Sequence, residues 1–119
     1  MHIGTIELET GAGLAPMAGV TDAAMRLLCR EQGAAWAVSE MLSAKGWIYS
    51  QGKNRAAQEL LTRFEGEKIA ALQLFGSDSG IMADAVQSLE SAGFEFFDVN
   101  FGCPAPKITA RSPSGSGME

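Results

Sequence analysis

Histidine is nearly missing: the 119 residues hold only His2, and only two cysteines, Cys29 and Cys103. A Cys/His hydrolase dyad inside the chain is therefore improbable, because its base would have to come from the extreme N-terminus. Two cysteines this far apart form no disulfide framework and no metal-ligand spacing, so no metal is expected, and a reducing, cytoplasmic setting is the default. No apolar run approaches the roughly 20 residues needed to cross a bilayer, so no membrane is expected. The start, "MHIGTIELETGAG", lacks the cationic and apolar segments of a signal peptide. Excess positive charge is also missing: the formal net charge is -5, so general attraction to nucleic acid is excluded and any such contact must be local or supplied from elsewhere.

What is present is ordinary globular composition, 46% apolar and 19% charged, in a length that suits one small domain. Ile3 to Leu8 alternates weakly and suits a short hairpin arm, a lid by its position, closed by the glycines of "ETGAG". "GLAPMAGV" is a brief apolar run, after which Thr21 is placed to cap a helix with Met25, Leu28 and Cys29 on one face and Gly33 as its stop. "AAWAVS" reads as a second strand, "SAKGWIYSQGK" as a loose connection, and Asn54 to Phe64 as a helix. "KIAALQLFG" is apolar nearly throughout, as in a strand covered on both faces. A helix with Ile81, Ala85, Leu89 and Ala92 on one side follows, then Gly93 as its stop and "FEFFDVN" as a fourth strand.

Strand and helix thus alternate, which predicts an α/β fold built on parallel strands. A complete (β/α)8 barrel takes roughly 250 residues, so four strands predict the N-terminal half of one, a TIM half-barrel. The polar tail "TARSPSGSGME" carries no helix pattern and reads as a frayed end or a truncation. Half a barrel has two open sheet edges, which invite pairing with another chain, and a homodimer through them is one partnership this reading allows.

In such folds the chemistry gathers at the carboxyl ends of the strands. The first end, "APMAG", is small and stiff around Pro16. The second offers Glu40, read as a solvated loop residue. The third sets Gln73 within an apolar strand, where a buried amide must find partners; it can satisfy neighbouring backbone or read the edge of a heterocycle. The fourth ends in Asn100 and then Cys103, held between Gly102 and Pro104 on a stiff loop. With an ordinary pKa of about 8.5 a thiol is mostly protonated at neutral pH, so Cys103 is a candidate general acid as much as a nucleophile. Cys29, on its helix face, reads as a small hydrophobe.

Taken in order, "APMAGVTD" from Ala15, "SEM" from Ser39 with "SAKG" after it, "LQLFGSD" from Leu72 and "DVNFGCPAPKI" from Asp98 strongly resemble the tRNA-dihydrouridine synthase family, flavin enzymes that reduce uridines in tRNA. The resemblance implies an FMN-binding barrel followed by a helical domain, of which residues 1–119 would be the first part of the barrel. It implies that Pro16, Met17 and Ala18 line the flavin and that Gln73 hydrogen-bonds its ring. It also implies that Asn100 faces the uracil and that Cys103 is the general acid. The implied reaction is reduction of FMN by NADPH, then hydride transfer to uracil C6 with protonation of C5 by Cys103. After Ile108 this sequence departs from the family's usual Asn-Gly turn, and strands supplying a phosphate site are absent. Another FMN barrel acting on a free pyrimidine, or a flavin-binding half-barrel without turnover, are the alternatives.

Overall fold

The computed structural model describes residues 1–9 and 11–101. A two-stranded antiparallel arm comes first, β1 (His2–Ile3) and β2 (Ile6–Glu7), turning through Gly4 at φ 58°. Leu8 then buries itself behind the arm. The main sheet holds β3 (Gly13–Leu14), β4 (Trp36–Ser43), β5 (Ala70–Phe75) and β6 (Phe96–Val99), in that spatial order and all parallel. Sequential parallel order with helical crossovers is the wall of a (β/α) barrel, and it confirms the expected α/β fold. Among the described residues β3 and β6 each have one unpaired edge.

The helices are α1 (Ala23–Glu31), α2 (Ala44–Tyr49), α3 (Arg55–Leu60) and α4 (Ser79–Leu89), the last running into a 3-10 turn, Glu90–Ala92. Each begins on a side-chain cap: Asp22, Ser43, Asn54 and Asp78 accept the N–H of Met25, Gly46, Ala57 and Ile81 at 2.9 to 3.1 Å. Gly93 ends the last turn at φ 90°, a conformation that glycine adopts without steric cost.

β5 organises the core because its side chains alternate. Leu72 and Leu74 face outward into a cluster with Leu42, Ala44, Ala57, Ala70, Ala85, Leu89 and Phe94, which seals the sheet against the helices. Burying each leucine contributes about 1.5–3 kcal/mol. Ala71, Gln73 and Phe75 face the other way, toward the inside of the curved sheet.

Several expectations are corrected. Asp22, not Thr21, caps α1; a carboxylate there also suits the positive end of the helix, while Thr21 is fully buried and bonded elsewhere. The inward face of α1 is not the expected apolar stripe, for Leu28 is 52% exposed and Arg26 is buried in its place. Arg26 can sit there because its Nε–H donates to Glu67 Oε1 and its two other nitrogens reach the carbonyls of Thr21 and Thr62, both at 2.9 Å. Arg63 joins the group through Glu67 O and Glu95, and both guanidiniums lie over the Phe94 ring. The segment read as a loose connection contains α2, too short to stand alone but held by Ser43 at its start and by Trp47 and Ile48 packed on the core. The helix expected over Asn54 to Phe64 stops at Leu60. Its next turn is displaced by the loop that delivers Thr62 O to Arg26.

Finally, β4 runs on to Ser43, so Glu40 lies inside a strand and not in a loop. The β4–β5 register slips from Val38↔Ala71 to Met41↔Gln73, so Ser39 and Glu40 together oppose Leu72. The Ser39 hydroxyl stabilises this bulge, accepting the Gln73 N–H at 3.0 Å and donating to Glu40 O at 2.8 Å.

Candidate active site at the strand ends

The turn after β3 carries Pro16, Met17 and Ala18 and is tied by several bonds. Val20 and Thr21 both donate N–H to Met17 O at 3.0 Å, and the Thr21 hydroxyl accepts from Met17 N–H at 3.1 Å. Gly19, at φ 75°, turns its N–H to Glu40 Oε1. The bulge makes that reach possible by re-aiming the Glu40 side chain from β4 toward the β3 turn. Glu40, read from sequence as solvated, is therefore the link between the first two strand ends.

Gln73 links the third and fourth. It stands opposite Met41 on one side and Asp98 on the other, and is 5% exposed. Its Nε2–H donates to Asp98 Oδ2 at 2.6 Å, and its Oε1 accepts from Asn100 Nδ2 at 3.3 Å. Neighbouring side chains, not backbone, thus partner the buried amide. Asn100 itself is held by its N–H on Leu74 O at 2.9 Å. Cys103 lies outside the described residues.

Hydrogen bonds therefore join all four strand ends, from the Met17 turn through Glu40 and Ser39 to Gln73, Asp98 and Asn100. Sequence reasoning named Pro16, Met17, Ala18, Gln73 and Asn100, gave Thr21 only a capping role, and assigned none to Ser39 or Asp98. Asp98 had a signal, since Asp-x-Asn at a strand end puts both side chains on the face that Gln73 shares. Apolar surface flanks this polar line: Met17 is 43% exposed and Phe101 54%. A flat heterocycle with polar edges fits such a surface, because exposed apolar area accepts its face and amides and carboxylates its rim. Among the described residues no arginine or lysine belongs to this hydrogen-bonded line.

A cavity of about 260 Å³ lies between β4, α2 and α3, lined by Met41, Ser43, Trp47, Ala56, Leu60 and Phe75 among others, and none of the residues of the polar line borders it. Among the described residues no group of histidine, cysteine and carboxylate side chains could hold a metal ion, and no helix is long and apolar enough to cross a membrane.

A family model described as Dihydrouridine synthase (Dus) matches residues 13–118. The chain is 44% identical over 114 residues to the tRNA-dihydrouridine synthase B of Vibrio parahaemolyticus, covering 93% of this chain and 34% of that protein. It is 40% identical over 119 residues to the protein of that name from Shewanella oneidensis, covering 100% of this chain and 36% of the relative. For the Escherichia coli K12 protein of that name the identity is 37% over 118 residues, covering 99% and 36%. The chain thus spans about a third of the length of the curated relatives it matches.

Proposed function

This chain belongs to the dihydrouridine synthase family, and from that premise we propose that it builds the first part of a flavin- and uracil-binding site in an enzyme that reduces uridine in tRNA to dihydrouridine. The observation that supports this reading most is the continuous polar line joining four strand ends, whose residues are those of the family-like motifs. In this reading Pro16, Met17 and Ala18 lie along one side of the FMN ring and Gln73 engages its polar edge. Asn100 meets the uracil. When bound, FMN supplies the hydride that it has received from NADPH.

The chain's own residues position and protonate. The Met17 turn, held by Thr21 and Glu40, gives the ring a fixed wall, and a fixed wall converts binding into orientation. Cys103, which Pro104 follows in the sequence, holds a proton for uracil C5 while C6 receives the hydride. The uridine must leave its stack to reach the site, and tRNA itself is gripped by basic surface beyond these residues. The working place is the cytoplasm, where tRNA and NADPH meet.

Gel filtration after incubation with FMN, read at the flavin's visible absorbance, tests the cofactor part. Flavin co-eluting with the protein is expected; flavin eluting free means these residues do not hold it. In a protein carrying the whole barrel, Cys103→Ala is expected to keep flavin reduction by NADPH and to lose most uridine reduction. Unchanged uridine turnover removes Cys103 from the acid role. The edges of β3 and β6 that stay unpaired among the described residues favour a second reading, a flavin-binding half-barrel dimer without turnover. The same column decides it by a discrete mass of two chains.

A further inference from the structure

Gln73 has its polarity dictated by a neighbour. A carboxylate only accepts hydrogen bonds, whereas a carboxamide has a donating and an accepting end. Asp98 Oδ2 lies 2.6 Å from Gln73 Nε2, in the range of a charge-assisted bond. With the amide turned over, two acceptor oxygens would face each other at that distance. The contact from Asn100 to Gln73 Oε1, at 3.3 Å, is longer and neutral, so Asp98 has the stronger hold. Asn100 follows the last residue of β6, one step beyond Val99, while Asp98 stands level with Gln73 across the sheet. The amide nitrogen therefore turns sideways to β6, and the oxygen turns toward the open strand ends.

We infer that Asp98 is a positioning residue that locks the Gln73 carboxamide with its oxygen toward the strand ends, so that a ligand engaging Gln73 there meets a hydrogen-bond acceptor. The inference rests on the flavin reading for its ligand. An acceptor at that place suits the imide N–H of the flavin's pyrimidinedione ring and disfavours a ring that offers a bare nitrogen or carbonyl there.

Two measurements on the 119-residue chain and its Asp98→Asn variant test it. In isotope-labelled protein the two Nε2 protons of Gln73, assigned by their loss in Gln73→Glu, are expected to be well separated. Asp98→Asn should draw them together while backbone amides of β5 and β6 keep their positions. If Asp98→Asn leaves the Gln73 side-chain signals unmoved, the lock does not exist. The second measurement titrates FMN and its N3-methylated derivative. The parent chain is expected to prefer FMN by about tenfold, the worth of one hydrogen bond, and Asp98→Asn to lose most of that preference. Equal binding of both flavins to the parent chain overturns the assignment of an acceptor facing the imide. Should neither flavin bind, the flavin reading fails, and the amide signals still decide whether Asp98 sets the orientation of Gln73.

Discussion

Replacing Glu67 with glutamine removes the one carboxylate, among the described residues, in contact with the Arg26 guanidinium, which is 1% exposed. Arg26 would keep the carbonyls of Thr21 and Thr62, each at 2.9 Å, and the new amide oxygen could still accept from its Nε–H, so the charge is solvated in part but no longer neutralised. Breaking a buried pair in this way costs about 3–5 kcal/mol. The surviving bonds place this case at the lower end, about 3 kcal/mol. Against a total of about 5–15 kcal/mol for a domain, that is a large fraction, and it corresponds to a fall in Tm of about 10 °C for a chain of this size. Urea titration followed by circular dichroism measures it. Arg26→Met combined with Glu67→Gln should be less damaging than the two single losses added, because the double variant buries no lone charge. It should still fall short of the parent by about 2 kcal/mol, since the Thr21 and Thr62 carbonyls lose their donor. Glu67→Gln within about 1 kcal/mol of the parent, or single losses that simply add, would refute the view that this pair is a coupled, buried unit.

Gly13→Ala is expected to destabilise by about 1–3 kcal/mol, because a Cβ there would overlap the Trp36 ring. Displacement of the indole should shift its fluorescence, and an unchanged spectrum with unchanged stability would contradict the close contact. Glu40→Ala removes the acceptor of the Gly19 N–H; its amide should exchange with solvent about tenfold faster, and equal exchange would mean that the carboxylate does not hold the turn.

The periodic parts of the fold were legible. An apolar run of strand length at 70–75, glycine at the end of a helical stripe and the Pro16 turn each announce themselves within a few residues, and Gln73 stood out as an amide among leucines. Thr21 and Asp22 are both good caps, and only the competing bond to Met17 decides between them. The bulge escaped because period-two reasoning assumes an unbroken ladder. That assumption ended β4 too early and left Glu40 in solvent. Arg26 and Glu67, 41 positions apart, form a pair that no local window contains, so α1 was assigned the wrong inward face. Cys103 lies outside the described residues, and its proposed role rests on the family's motif.

Gln73 is gripped three ways: its backbone N–H by the Ser39 hydroxyl, its nitrogen by Asp98 and its oxygen by Asn100. A glutamine free to rotate forfeits up to about 1.5–2 kcal/mol of rotamer entropy when it is immobilised. Here that loss occurs as the chain folds, before any ligand arrives, so a ring captured as proposed at the strand ends need not freeze the Gln73 amide. The rigidity weakens the fold slightly and favours every later binding event.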